Sequence, residues 1–454
     1  MNKNDIIELN ITSLTSDGDG VGRAGETVFF VPNTAVGDTA LVRVLKVKKN
    51  IAYGMVESIV TPSPDRIEPD CPVSLSCGGC VYRHISYEAE QRAKRQKVID
   101  AVTRIGKLDG SLVRDIVPSP RVDGYRNKAM IPVGLNRAGE AVMGFYARHS
   151  HNIMPCIDCR LSPDIFNRIT ADFYGFIKER PGLIYTPAYR RGIRHLYLRY
   201  AESTGDVMVC IVAGAKRFEG DTELFDSLTE KYSAIKSIAV NINPDDTNVI
   251  LGKKTYTVYG SDHITDTLCG LNFDISPQSF YQVNRAQAER LYSIAADYAA
   301  LNGSETLLDL YCGTGTIGLS MADKCRALIG VEIIPEAIDN ARRNAAQNGI
   351  ANARFICADA TAAAAQLKAE GIHPDVVVVD PPRKGLTPEL IDTIAGMDPD
   401  RVVYVSCDPA TLARDLAIFP AKDYSVKEIT PADMFPRTSH VESVCLMSRK
   451  KPHQ

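Results

Sequence analysis

The first sixty residues alternate short β-prone runs with glycine turns. The runs are Ile6–Leu14, Thr27–Val31, Thr39–Lys48 and Ala52–Ile59, and Asp17-Gly-Asp-Gly-Val-Gly22 separates the first two. Several short strands at this spacing predict a small β-barrel. In Leu41-Val-Arg-Val-Leu-Lys-Val-Lys-Lys49 apolar and basic residues nearly alternate, which puts Arg43 and Lys46 near one another on the sheet surface. Thr61-Pro-Ser-Pro64 reads as a linker, and a helix is expected from Tyr87. Residues 205–260 read as mixed α/β, with strands at Val207–Ala213 and Ser237–Asn243. From Thr306 strand and helix alternate strictly, which implies a parallel, doubly wound sheet. The alanine-rich run Ala360–Ala365 is expected to be helix, and no internal repeat is evident.

A length of 454 residues suits two to four domains, and 45% hydrophobic with 24% charged residues is an ordinary globular composition. No run approaches a membrane span, and MNKNDIIELN lacks the apolar core of a signal peptide, so a cytoplasmic protein without a membrane partner is expected. In that setting the twelve cysteines point to metal rather than disulfides. A net charge of −3 offers no global case for nucleic acid, so any such case must be local.

Cys71-x5-Cys77-Gly-Gly-Cys80 brings three thiols close together, and Gly78 and Gly79 allow the backbone to turn both sulfurs to one centre. A further ligand must come from far along the chain, and Cys156 and Cys159 are the candidates. Two Cys-x-x-Cys pairs suit zinc, whereas four scattered cysteines suit an iron–sulfur cluster. Local positive charge follows at Arg92, Lys94, Arg95 and Lys97 of the helix, and in Gly124-Tyr-Arg-Asn-Lys128. Tyr189-Arg-Arg-Gly-Ile-Arg-His-Leu-Tyr-Leu-Arg-Tyr200 then interleaves four arginines with three tyrosines. Arginine for phosphate and rings for unstacked bases is RNA-binding chemistry.

The last third carries the reactive groups. Thr306-Leu-Leu-Asp-Leu-Tyr-Cys-Gly-Thr-Gly-Thr-Ile-Gly318 is strand, glycine loop and helix. Asp309, Glu332, Asp359 and Asp380 fall at or near the ends of four successive strands, and Asp380 opens Asp-Pro-Pro-Arg383. A strand ending in Asp-Pro-Pro marks methyltransferases acting on nucleobases, not nicotinamide enzymes. In Val402-Val-Tyr-Val-Ser-Cys-Asp-Pro409, Cys407 stands where a buried strand stops, Asp408 is placed to cap a helix and Pro409 to open it. The helix dipole there is expected to lower the thiol pKa.

The chain resembles the bacterial RNA uracil-C5 methyltransferases that make 5-methyluridine. The matching stretches are Ser279-Phe-Tyr-Gln-Val-Asn284, Leu308–Gly315, Asp380-Pro-Pro-Arg-Lys-Gly385, Val405–Asp415 and His440-Val-Glu-Ser-Val444, and the likeness runs over essentially the whole chain. It implies a multidomain α/β protein. Residues 1–60 would be an OB-like TRAM barrel, residues 61–270 a central α+β domain with an iron–sulfur cluster and an RNA-binding surface, and residues 271–454 a Rossmann-like class I methyltransferase domain. The cofactors implied are S-adenosyl-L-methionine and a [4Fe-4S] cluster. The cofactor contacts fall on Gln282, Tyr311, Glu332, Asp359 and Asp380, the nucleophile on Cys407 and the base on Glu442. The cluster ligands fall on Cys71, Cys77, Cys80 and Cys159, with Cys156 an extra thiol outside the family pattern. Phe280 fills an aromatic position suited to stacking on a base. The TRAM barrel matches the ribosomal branch better than the transfer-RNA branch, so the expected partner is 23S ribosomal RNA and the expected state a monomer. Besides a transfer-RNA enzyme, two other functions fit parts of the chain: a nicotinamide-dependent oxidoreductase using the glycine loop, and a non-catalytic RNA-binding protein with a structural metal centre.

Overall fold

A computed structural model describes residues 1–450, so the last four residues of the expected third domain lie outside the described residues. Strands β1 (Ile6–Leu14), β2 (Gly20–Ala24), β3 (Thr27–Val31), β4 (Thr39–Lys48) and β5 (Ile51–Thr61) close into a barrel of order β1-β2-β3-β5-β4. Alternation decides its interior: Ala40, Val42 and Val44 of β4 point in with Leu9, Phe29 and Val31, while Arg43 points out and pairs with Glu57. Gly20 is required where it stands, because a Cβ there would lie 1.9 Å from the Thr34 hydroxyl.

Helix α1 (Tyr87–Arg104) starts at Ser86, whose side chain caps the Ala89 N–H. Its cations were expected to face RNA. Instead each is used within the fold. Lys94 is fully buried between Glu90 (2.7 Å) and Asp433 (2.6 Å) and donates to the Phe435 carbonyl. Lys97 donates to the carbonyls of Ser16 and Ser439, Arg95 to those of Val113 and Arg114, and Arg92 to Asp65. The helix is a staple between the barrel side and the C-terminal sheet, against which Val98 and Val102 pack.

The central sheet comprises β6 (Lys128–Leu135), β7 (Ala141–Tyr146), β8 (Ile153–Pro155), β9 (Ile193–Ala201), β10 (Asp206–Ala213), β11 (Ile235–Ile242) and β12 (Lys254–Gly260) in the order β12-β11-β10-β9-β6-β7-β8. One face is covered by α2 (Asp164–Lys178) and α3 (Asp221–Lys231), whose Phe166, Phe173, Leu224 and Leu228 bury Ile131, Leu196, Leu198 and Val209. The other face receives the segment after the hairpin β13 (Ile264–Leu268) and β14 (Leu271–Ile275), with the Tyr197 hydroxyl donating to the Pro277 carbonyl at 2.9 Å.

Beyond α4 (Arg285–Ala299) the chain forms a second large sheet: β15 (Thr306–Leu310), β16 (Ala327–Glu332), β17 (Ala353–Cys357), β18 (Val376–Val379), β19 (Arg401–Ser406), β20 (Tyr424–Ala432) and β21 (Glu442–Arg449). Between these strands run α5 (Thr316–Leu319), α6 (Pro335–Gln347), α7 (Ala360–Ala369), α8 (Pro388–Ala395) and α9 (Pro409–Leu416). The order is β17-β16-β15-β18-β19-β21-β20, parallel except for β21, which is antiparallel to both its neighbours. The valine run of β18 is buried on both faces, Val376 and Val378 toward one helical layer and Val377 and Val379 toward the other.

Candidate functional site: a cleft between the two sheets

The carboxyl ends of β15, β16, β18 and β19 open on a cleft of about 1950 Å³, where ligands bind in open α/β sheets. Gln282, Tyr311, Glu332, Asp359, Asp380, Cys407 and Glu442 all line it, as do Phe280 and His440. The opposite wall comes from the central sheet through Lys128 and Met130.

The glycine loop after β15 is held from below. The buried carboxyl of Asp309 accepts the Gly318 N–H at 2.9 Å, and Glu332 accepts the Gly313 N–H at 3.2 Å. Burial pushes Asp309 up to about 8, and it lies under the loop rather than on the cleft wall. Tyr311 takes a φ of 66°, a left-handed backbone that a bulky residue adopts only under constraint, and this turns its ring into the cleft. Glu332 also accepts from the N–H groups of Ile333 and Ile334, and Asp359 caps α7 through Thr361 and Ala362.

Cys407 and Glu442 meet through sheet register. Ser406 of β19 pairs with Ser443 of β21, so the residue after one and the residue before the other become neighbours at the sheet's end. Burial pushes the Cys407 thiol up to about 11, with the carboxyls of Glu442 and Asp380 adding to the rise and Arg383 opposing it. The expected lowering by the α9 dipole is not realised. The Asp408 carboxylate takes the free N–H groups of Ala410 (2.9 Å) and Thr411 (3.0 Å), so the helix end is already neutralised by an anion. Burial likewise raises Glu442 to about 8 and Asp380 to about 7. Arg383, exposed on the loop after Asp380, is the cation acting on both Cys407 and Glu442. It stands inside the Asp-Pro-Pro-Arg motif, a signal that could have singled it out.

Cys71, Cys77, Cys80, Cys156 and Cys159 line a second cavity of about 30 Å³. Gly78 lets the loop lie on the backbone of residues 146–148, since a Cβ there would sit 3.1 Å from the Tyr146 carbonyl. The Gly79 N–H donates to the Cys77 sulfur at 3.4 Å. Burial and the neighbouring thiols push Cys156 up to about 12. Among the described residues no three Cys, His, Asp or Glu side chains converge at the spacing of one bound ion. The donor set is nonetheless all thiol and gathered at one cavity, which is the chemistry of a thiolate-held centre. Cys159, Arg126 and Phe145 belong to both this cavity and the cleft.

The segment Tyr189–Tyr200 divides in two. Arg190 and Arg191 are exposed. Arg194 and Arg199 are drawn inward: Arg194 donates to the carbonyls of Asn243, Asp245 and Thr247 and lies over the Tyr185 ring at 4.7 Å, and Arg199 donates to the Ser279 carbonyl. The interleaved tyrosines and arginines were therefore mostly the two faces of a buried strand.

A doubly wound sheet of this order, with an antiparallel strand beside the last parallel one and an Asp-Pro-Pro strand end on the cleft, defines a Rossmann-like methyltransferase. Comparison with known proteins agrees and goes further. Residues 251–450 match the family described as tRNA (Uracil-5-)-methyltransferase, and residues 2–56 match the TRAM domain. An uncharacterized RNA methyltransferase of Halalkalibacterium halodurans is 42% identical over 99% of this chain and 98% of its own. One from Staphylococcus aureus is 40% identical over 99% of both. The crystal structure of a Pyrococcus abyssi tRNA (uracil-54, C5)-methyltransferase, in complex with S-adenosyl-L-homocysteine, is 29% identical and covers 97% of this chain and 99% of its own, with a TM-score of 0.75. The chain belongs to the RNA (uracil-5-)-methyltransferase family and carries an N-terminal TRAM domain. Family membership leaves the oxidoreductase and the non-catalytic readings without support.

Proposed function

We propose that the protein methylates C5 of a uridine in RNA through a covalent adduct between Cys407 and C6 of the base. The observation that carries this reading is the thiol of Cys407 beside the buried carboxyl of Glu442, at the cleft shared with Asp380. Uracil C5 is a poor nucleophile. Attack of the Cys407 thiolate on C6 moves the electron pair of the C5–C6 double bond onto C5 as an enolate. S-adenosyl-L-methionine, when bound, supplies an electrophilic methyl group on a sulfonium. Carbon C5 would take that methyl as the S–CH3 bond breaks, with the neutral thioether S-adenosyl-L-homocysteine as the leaving group, and C5 would still carry its proton. Glu442 as carboxylate removes the proton, the C5–C6 double bond reforms, and the Cys407 sulfur leaves as thiolate. The base must leave any stack to reach the cleft, and exposed Phe280 offers a ring to receive it. Gln282, Tyr311, Glu332, Asp359 and Asp380 are the residues that would hold the cofactor. Its sugar and adenine suit the polar strand ends at Glu332 and Asp359, with Ile333 exposed beside them.

The ribosomal reading rests on the barrel and puts 23S ribosomal RNA first. A transfer-RNA substrate is favoured instead by the likeness to the Pyrococcus enzyme. Mass-spectrometric mapping of 5-methyluridine in ribosomal and transfer RNA, from cells with and without the protein, decides between them. Loss of the mark from neither RNA would overturn the reaction. An iron–sulfur cluster on Cys71, Cys77, Cys80 and Cys159 is the reading that the all-thiol cavity supports, and it would tie the loop after the barrel to the central sheet. Anaerobically purified protein should then contain iron and sulfide, and stoichiometric zinc without iron would refute it.

A further inference from the structure

The face of the central sheet turned toward the cleft holds cations without a counter-ion. Lys128 of β6 and Arg199 of β9 are direct cross-strand partners, so their side chains stand side by side on one face. Arg126 lines the cleft with Lys128. Burial, then Arg199, then Arg126 push Lys128 down to about 8, and no carboxylate acts on it. Arg199 is 3% exposed and gives one nitrogen to the Ser279 carbonyl. Its Nε and Nη1, and Nε of Arg126, are buried without an acceptor among the described residues. Arg126 also faces the thiols of Cys80 and Cys159 and Arg199 that of Cys210, while the charges acting on Lys128 are the two arginines alone.

Like charges directly opposite on a sheet destabilise it, and buried donors without acceptors cost more still. A fold retains such a group where an anion completes it. We propose that Lys128 and Arg199, backed by Arg126, form a phosphate-binding site that grips the RNA backbone next to the base in the cleft. The proposal rests on the RNA reading above. Position favours a phosphodiester over the carboxylate of the cofactor. Of the residues suited to the cofactor, Tyr311, Glu332, Asp359 and Asp380 stand at or just beyond strand ends of the C-terminal sheet and Gln282 alone lies on the segment held to Asn127, whereas Lys128 stands on the central sheet itself. Arg199 also holds Ser279, the residue before Phe280, whose ring is 61% exposed, so a gripped phosphate and a stacked base would share one short segment.

The test compares full-length wild type with Lys128→Gln and Lys128→Arg, using RNA from cells lacking the protein as the methyl acceptor. Lys128→Gln should raise the KM for RNA about tenfold, as for one charge-assisted hydrogen bond. It should also flatten the slope of log kcat/KM against log salt by about 0.7, the value for one phosphate contact on a single strand. Lys128→Arg should restore both, and S-adenosyl-L-homocysteine affinity should hold. Without RNA, Lys128→Gln should melt no lower than wild type, because it removes an unbalanced charge, and inorganic phosphate should raise the melting temperature of the wild type more. An unchanged slope in Lys128→Gln with an active wild type overturns the site and leaves the reaction standing. Weakened S-adenosyl-L-homocysteine binding with an unchanged slope assigns the cations to the cofactor carboxylate and overturns it too. A wild type that methylates no RNA removes the reaction, and this site with it.

Discussion

Cys407, the nucleophile proposed above, stands in a setting that holds its thiol protonated. Its thiol at about 11, Glu442 at about 8 and Asp380 at about 7 share one enclosed patch of negative potential, opposed by Arg383. In the proposed reaction both groups work in their deprotonated forms, so methylation by the wild type should climb with pH from 6 to beyond 8, followed as label transfer to RNA. Burial also fixes a sign for stability. The folded pKa of Glu442 lies above its unfolded value, so its contribution to stability is full below about 4 and is lost as pH rises through about 8. Glu442→Gln should therefore melt above the wild type at pH 9 and lose that advantage at pH 5. The same variant separates the chemical steps. Cys407→Ala should abolish methylation and any covalent RNA product. Glu442→Gln keeps the thiol and should stall after methyl transfer, giving a protein–RNA band on denaturing gels that the double variant lacks. Normal turnover by Glu442→Gln would exclude it as the base. At this scale Cys407 and Asp380 were singled out by strand-end and cap signals, whereas Glu442 was singled out by the family likeness alone. The thiol's direction of shift was not, because Asp408, itself legible as a cap, occupies the donors that would have stabilised a thiolate.

Elements show what a list of cations conceals. Sequence patterning marked the helix from Tyr87 and the arginine–tyrosine run around Arg194, but not the partners that make their charges structural. Those partners lie far along the chain: Asp433 is 339 residues from Lys94, and the carbonyls that Arg194 meets belong to residues 243–247. Lys94→Met should cost about 3–5 kcal/mol in chemical denaturation, because Asp433 would remain buried without its cation and Glu90 would keep only Arg437, at 3.6 Å. A loss below 1 kcal/mol would mean that the pair is readily solvated. In the second element the exposed and inward arginines should part company. Arg190→Ala with Arg191→Ala should flatten the salt dependence of RNA binding, whereas Arg194→Ala should lower the melting temperature and leave that slope alone. If all three behave alike, the division made by burial is wrong.

At the scale of the molecule, the barrel and the last sheet were legible from period and turn chemistry, the last most clearly because parallel strands buried on both faces read as unbroken apolar runs, whereas of the seven-stranded central sheet only β10 and β11 were read as strands. What could not be read was the seam between them. The thiols come from the loop after the barrel and from the loop after β8, and only the folded chain sets them around one cavity whose wall is also the cleft's. A centre held there would fix Cys159, and through the shared wall Arg126 and Phe145, at the edge of the cleft proposed to take RNA. Cys156 and Cys159, three apart in sequence, are the two candidates for the fourth ligand of the proposed centre. Cys159 lines both cavities and its N–H is held by Asn167 at 3.1 Å, whereas the Cys156 sulfur points toward the Asp158 carbonyl at 3.7 Å. Cys159→Ser should accordingly lose iron and sulfide from anaerobically purified protein while Cys156→Ser keeps both. Loss of the centre should weaken RNA binding through the displaced wall and leave S-adenosyl-L-homocysteine affinity intact, since four of the five residues proposed for the cofactor stand at the other sheet's strand ends and Gln282 does not line the thiol cavity. Iron lost from Cys156→Ser alone would exchange the two ligands. A Cys159→Ser protein without iron that binds RNA as tightly as the wild type would show that the shared wall transmits nothing.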